Sequence, residues 1–78
     1  MPTHPKRIRF TRHAIDQMRL RSITKEDVRI AIASPDITLP YPGGGTRICS
    51  KASSKPIKVG IRDFGTEIVV MTAMNWER

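Results

Sequence analysis

Three polar side chains near the start of the chain recur every four residues, a spacing at which they could share one chemical task. His13, Gln17 and Arg21 form this series, and on a helix they would make a polar ridge, because residues four apart are neighbours there. Histidine is the side chain that changes charge closest to neutral pH, and arginine stabilises negative charge. The ridge therefore predicts acid–base catalysis of phosphodiester cleavage, with His13 moving the proton. The alternative is structural, with His13 at the helix start and Arg21 bound to a carboxylate such as Asp27.

A second set of polar residues lies in the C-terminal half, where basic and apolar side chains alternate. The segment Ile57–Arg62 places three apolar residues on one face and Lys58 and Arg62 on the other, as in a strand with one buried face. Arg47 and Lys51 alternate in the same way in an earlier segment and would join them if the strand register allows. Such a face predicts binding to a phosphate backbone, and an ordinary solvated surface is the alternative. The residues predicted to contact nucleic acid are Arg12, Gln17, Arg47, Lys51, Lys58 and Arg62.

Other short patterns do not indicate a site. Asp63-Phe64-Gly65 spells the magnesium motif of kinases, but the chain is far too short for a kinase, and we expect a hairpin turn. The three glycines at 43–45 lack the Lys-Ser/Thr ending of a phosphate-binding loop. Cys49 has no flanking pattern of a nucleophile and is expected to be a small core or half-buried residue. One cysteine and two histidines are too few for a structural zinc site, so no metal or cofactor is expected.

The charge of the chain is high for its size. Fourteen Lys and Arg against seven Asp and Glu give a net charge of +7 and an isoelectric point near 10.6. Nucleic acid, most plausibly RNA, is the expected partner for such a field, ahead of an anionic membrane or an acidic protein. The alternative is that the excess charge serves solubility alone. Stacking of several bases is not expected, because only four residues are aromatic.

The length of 78 residues suffices for one domain, expected over 7–78 after a loose tail at 1–6. The single cysteine cannot form an internal disulfide, whereas small secreted domains usually need several. The basic, proline-containing start lacks the apolar stretch of a signal peptide, and no run approaches the roughly 18 apolar residues of a membrane span. We therefore expect a cytoplasmic protein with no membrane partner.

The alternation of hydrophobic residues predicts both helices and strands. A short strand is expected over Arg7–Phe10, then a helix over Arg12–Arg21 that Thr11 caps. Thr24 caps a second helix, which ends at Ser34-Pro35. Four strands follow, over residues 37–41, 46–52, 57–62 and 67–73. Their short connections favour antiparallel pairing. The expected fold class is α+β, with an N-terminal short strand and two helices packed on one face of a curved antiparallel sheet of about four strands.

Three stretches of the chain carry a family pattern. They are the two helices, as Phe10–Met18 continuing through Arg21–Val28, the Pro35-Asp36 pair, and the strand Glu67–Ala73. Together they span most of residues 10–74 and resemble a family of short bacterial domains catalogued as domain of unknown function 4258. Gln17 stands where many members have arginine, and Ser22 stands where glycine is usual. The residues that match the family's motif, and that the resemblance implies as catalytic, are His13, Arg21 and Thr72.

The strand–helix–helix–sheet order is also similar to that of the RelE/ParE-type toxins and the wider barnase–EndoU–colicin–RelE group. These include small basic ribonucleases that antitoxins counter. The resemblance implies a metal-independent ribonuclease of a toxin–antitoxin system, with RNA as substrate and an acidic antitoxin as a second partner. Arg21, with Lys58 or Arg62, would then stabilise the charge of the reacting phosphate. The alternative is a non-catalytic module that binds nucleic acid or another protein.

Overall fold

Two helices pack on one face of a five-stranded sheet in the computed structural model, which describes residues 7–41 and 43–76. The predicted tail at 1–6 lies outside the described residues. The α+β class and the order of the elements are as the sequence predicts. In chain order the elements are β1 (Arg7–Phe10), α1 (Arg12–Arg21), α2 (Lys25–Ala33), β2 (Ile37–Pro40), β3 (Thr46–Ser50), β4 (Ile57–Asp63) and β5 (Glu67–Asn75).

The strands are ordered β1-β5-β4-β3-β2 across the sheet. The four strands from β2 to β5 pair antiparallel with their chain neighbours, as short turns dictate. The N-terminal strand β1 joins the same sheet as a fifth strand and runs parallel to β5. The sheet is therefore mixed. Parallel pairing is possible here because both helices and three strands separate β1 from β5, which leaves ample chain for a crossover.

Side-chain caps begin both helices. The Thr11 hydroxyl accepts a hydrogen bond from the backbone N–H of Ala14 at 3.1 Å. At α2, Thr24 Oγ1 accepts from the N–H of Asp27, while the Asp27 carboxylate accepts from the N–H of Thr24. This capping box engages Asp27 at the start of α2, so that carboxylate has a role other than holding Arg21. Neither helix in the described part of the chain is long and apolar enough to cross a membrane.

The core lies between the helices and one face of the sheet, which we call the helix face. Ile57, Val59 and Ile61 of β4 point into it, so the predicted alternation of that strand is confirmed. Cys49 is 4% exposed and unpaired, in line with its predicted burial. The buried residues of the core cluster are Ala14, Met18, Ile23, Val28, Ala31, Ile48, Ile57, Val59, Ile61, Ile68, Val70 and Ala73.

Beyond the end of β1, residues at and near the start of α1 form hydrogen bonds with the edge of β5. The last residue of β1 pairs with Val70, but β5 continues for five more residues. Thr11 N donates to the carbonyl of Val70, and its hydroxyl donates to the carbonyl of Met71. One turn and a half later, Gln17 Oε1 accepts from the N–H of Ala73 at 3.1 Å. A helix thus supplies hydrogen bonds that a neighbouring strand would otherwise make.

The turn between the helices depends on one residue in the left-handed region. Ser22 ends α1 with φ 57° and ψ 39°, and it is the one non-glycine residue with positive φ in the described part of the chain. Its N–H bonds to the carbonyl of Arg19, and its carbonyl accepts from the Lys55 ammonium. Left-handed geometry costs an L-residue about 1–2 kcal/mol, so the serine carries strain that glycine would not.

Replacing Ser22 with glycine should stabilise the protein by about 0.5–1 kcal/mol, because the relief of strain exceeds the entropy that glycine loses on folding. Urea unfolding followed by circular dichroism measures this change. Ser34→Gly is the matched control, since Ser34 also caps a helix C-terminus but has φ −134°. The Ser34→Gly variant should lose stability. A gain of similar size in both variants would contradict the inference that the backbone of Ser22 is strained.

Gln17→Met should destabilise the protein by about 1–2 kcal/mol, because the N–H of Ala73 loses its partner in a half-buried site. Arg19→Met is the control, an exposed change on the same helix expected to alter the free energy of unfolding by less than about 0.5 kcal/mol. Equal effects of the two changes would show that the Gln17 contact with β5 contributes nothing.

Candidate nucleic-acid interface

The side chains that alternate with the core residues point away from both helices and form the open face of the sheet. The strand register builds it in rows across the sheet: Leu39 lies opposite Arg47, Arg47 opposite Gly60, and Gly60 opposite Thr72. No helix of the described chain packs on this side. The strand residues of the open face are Arg7, Arg9, Ile37, Leu39, Arg47, Cys49, Lys58, Gly60, Arg62, Glu67, Val69, Thr72 and Met74.

The open face is strongly basic. Glu67 is the one carboxylate that the described strands place on it, and its Oε2 lies 3.2 Å from Arg9 Nη2. The helices carry three further acids, and Asp63 pairs with Ile68 on the helix face. Lys51 extends the alternation of β3 by one residue. The six cations of this side are Arg7, Arg9, Arg47, Lys51, Lys58 and Arg62.

A glycine at the centre of the open face makes room for an aromatic ring. A β-carbon at Gly60 would lie 2.8 Å from Thr72 Oγ1 and 3.2 Å from the ring of Tyr41. The Tyr41 ring therefore lies against the backbone of β4, beside the Thr72 hydroxyl. This explains why glycine interrupts the basic residues of β4: any side chain there would displace the ring or the hydroxyl.

The loop between β2 and β3 forms a wall beside this ring. Arg62 Nη2 donates a hydrogen bond of 2.6 Å to the carbonyl of Gly43. Gly45 has φ 106°, and a β-carbon there would lie 2.5 Å from the carbonyl oxygen of Ile61. The loop therefore lies tightly against β4. Gly45 permits this close approach of two backbones.

Tyr41 and Trp76 lie on the open face, and each is paired with a cation. The Arg47 guanidinium carbon is 5.3 Å from the centre of the Tyr41 ring, and Lys51 Nζ is 5.8 Å from the centre of the Trp76 ring. Such contacts hold long basic side chains over the sheet. Sequence reasoning missed Tyr41 and Trp76 as parts of the site because only the folded sheet brings their rings beside Arg47 and Lys51.

The three residues of the predicted ridge on α1 lie in three different environments. His13 is exposed, so its imidazole is open to solvent. Gln17 is half-buried, and its side chain is bound to Ala73 of β5. Arg21 is half-buried, and its Nη1 is enclosed without a hydrogen-bond partner among the described residues. Only His13 of the three therefore has a side chain that is largely available to a ligand.

The structure separates the predicted site residues into two groups. Arg47, Lys51, Lys58, Arg62 and Thr72 share the open face. The other four, on α1, are Arg12, His13, Gln17 and Arg21.

The two groups approach each other at one point of β5. The register of β4 with β5 shifts between Gly60 and Ile61 and leaves Met71 unpaired. Two residues further along β5, the N–H of Ala73 donates a hydrogen bond to Gln17 Oε1. Ala73 is next to Thr72 of the open face. Arg21 lies elsewhere: its carbonyl accepts from Lys55, just before β4, whereas Arg62 is near the far end of that strand, about 16 Å beyond Ile57 at about 3.3 Å per residue. Arg21 and Arg62 therefore do not act on one phosphate together.

The strand β1 adds two cations that the sequence analysis did not include, Arg7 and Arg9. Their alternation with Ile8 and Phe10 was visible in the sequence, but their place beside β5 was not. Parallel pairing with Glu67 and Val69 brings them onto the open face. A strand this short gives no local signal of its partner, because pairing across 60 residues is decided by the whole sheet.

Comparison with known proteins gives a family and no characterised relative. No curated protein matches the chain, and no solved structure matches it. The likeness to RelE/ParE-type toxins therefore stays a prediction. A family model described as domain of unknown function (DUF4258) matches residues 10–75. That span includes both helices and the strands from β2 to β5, and the chain belongs to this family.

Proposed function

We propose that the protein binds RNA through the open face of its sheet. The observation that carries the proposal is the uneven distribution of charge: six described cations lie on this side, and Glu67 is the one carboxylate that the described strands place there. Cations on one surface neutralise several phosphates of one strand at once, and the released counterions favour binding. A chain whose positive charge served only solubility would not need six cations and a single strand carboxylate on one side of its sheet.

The shape of the open face favours single-stranded RNA. Five strands at about 4.8 Å spacing give a surface about 19 Å wide, whereas the major groove of B-DNA is about 12 Å wide. The sheet is therefore too broad to enter that groove, but a single strand can lie across it. Tyr41 supports this orientation, since the Arg47 guanidinium held over its ring offers a planar surface to an unpaired base.

We place this activity in the cytoplasm. RNA is found there. The free Cys49 thiol, which is buried in the sheet, also suits a reducing compartment.

Removing three cations of the open face should weaken binding to a fluorescent single-stranded RNA by about tenfold or more. The variant is Arg47→Gln/Lys58→Gln/Arg62→Gln, and fluorescence anisotropy at several salt concentrations gives both affinity and salt dependence. The slope of log affinity against log salt should become shallower by about 2, since each phosphate that the variant no longer neutralises contributes about 0.7.

The matched control removes three cations from the helices, as Arg19→Gln/Lys25→Gln/Arg29→Gln. Its net charge equals that of the open-face variant. A difference in RNA affinity between the two variants therefore reports the position of the cations and not their total charge. Equal losses in both variants would contradict a specific interface and would leave non-specific attraction by the net charge. Circular dichroism verifies that both variants fold.

A ribonuclease activity is the second candidate, and the exposed His13 favours it. Gln17, one turn from His13, touches β5 next to Thr72, so the ridge reaches the border of the open face. In such a reaction the 2′-hydroxyl loses its proton to a base and attacks phosphorus. The bond to the 5′-oxygen breaks, this oxygen gains a proton, and a cyclic phosphate remains. His13 would transfer the proton, and nearby cations would stabilise the charge on the phosphate.

Purified protein in excess EDTA should cleave single-stranded RNA, and His13→Ala should reduce the cleavage rate by about 100-fold or more while RNA affinity stays within about twofold. Gel electrophoresis detects the product, and a terminal cyclic phosphate identifies the chemistry. Arg21→Ala tests the third ridge position in the same assay. Intact RNA at high protein concentration, with binding unchanged, would support the non-catalytic binding module instead.

A further inference from the structure

An apolar groove of about 460 Å³ opens on the helix face, between α2 and the edge of the sheet. Ile8 of β1 and Ile68 of β5 form its floor. Glu26 and Arg29 of α2 lie at its wall, 3.9 Å apart as an ion pair. The remaining lining is apolar and consists of Ile30, Ile32 and Ala33. Among the described residues, α2 packs mainly on β3 and β4 and α1 mainly on β5, so the groove lies beside α2 at the β1 end of the helix face.

The groove borders a strand edge that has no neighbour in the described chain. β1 is the first strand of the sheet and pairs only with β5. The N–H of Thr11 donates to Val70 of β5. Because backbone groups alternate along a strand, those of Arg7 and Arg9 also face β5, and those of Ile8 and Phe10 point outward. The outer edge of β1 therefore offers hydrogen-bonding groups beside an apolar surface.

The other side of the same edge is basic. Arg7 and Arg9 lie on the open face of β1, and the side chain of Arg9 is 62% exposed although it pairs with Glu67. A strand placed next to β1 would thus have the apolar groove on one side and two guanidinium groups on the other. Side chains alternate between the two sides of a strand, so its occupant must alternate as well.

We propose that the β1 edge binds an extended acidic–apolar peptide segment, which adds a sixth strand to the sheet. Its apolar side chains enter the groove over Ile8 and Ile68, and its carboxylates face Arg7 and Arg9. Main-chain hydrogen bonds supply affinity and the alternating side chains supply specificity. A second copy of this chain is a poor occupant, since pairing two β1 strands would bring four arginines together between two molecules of charge +7.

A synthetic hexapeptide with the sequence Glu-Val-Glu-Ile-Glu-Val, blocked at both ends, is the probe. Titration into the ¹⁵N-labelled protein should shift the backbone amides of Ile8 and Phe10 and those of α2 that border the groove. The second edge strand, β2, is the internal comparison, because it also exposes apolar side chains, Ile37 and Leu39. Its amides should not move.

Two substitutions distinguish peptide binding in the groove from a general effect of charge on peptide affinity. Ala33 is exposed at the end of α2 and lines the groove, so Ala33→Glu should weaken peptide binding at least about tenfold by filling it with a like charge. Leu20→Glu introduces the same charge on α1, where Leu20 is 79% exposed, and should leave the affinity within about twofold. The same peptide with Lys in place of Glu should bind at least about tenfold more weakly than the acidic form.

Three outcomes would overturn the proposal. One is the absence of any shift at millimolar peptide in the wild-type protein. Another is a set of shifts centred on β2 or on the open face, which would indicate simple attraction to the basic surface. The third is equal binding by the Ala33→Glu and Leu20→Glu variants. RNA binding plays no part in these measurements, so they stand apart from the function proposed for the open face.

Discussion

The alternation of side chains across β4 and β5 is the constraint on which the rest of the structure depends. Each strand presents isoleucine, valine or alanine to the two helices, and these side chains make up half of the buried core cluster of this small domain. The residues between them are then forced to the opposite side of the sheet. In β4 those residues are Lys58, Gly60 and Arg62. A basic open face is therefore a direct consequence of how the core is built.

The length of β5 creates a second constraint. β5 has nine residues and β1 has four, so half of one edge of β5 has no strand beside it. The Thr11 and Gln17 side chains bond to that half instead. This arrangement positions α1 and brings its polar ridge to the border of the open face at Thr72. It also gives Gln17, at first a candidate ligand of RNA, a contact within the fold.

Most of the secondary structure could be predicted because its signals are local. The caps at Thr11 and Thr24 and the stop at Ser34-Pro35 set the helix limits to within a residue. The strand pattern was equally clear in β4, where apolar and basic residues alternate strictly. The strand ends were less certain: β5 reaches Asn75, two residues past the prediction, because its last residues pair with Ile57 and Lys58 of β4. A pairing partner is not a local property.

Periodicity and capping within a few residues are enough to predict the α+β class, both helices, and the basic residues opposite the apolar side of β4. Only the tertiary structure decided that β1 lies parallel to β5 and adds Arg7 and Arg9 to the open face. It alone also placed Tyr41 over Gly60 and put His13 and Arg62 in separate groups. The physical reason is that these contacts join residues distant in the chain. Their geometry depends on strand register and helix position, which all the packed elements set together.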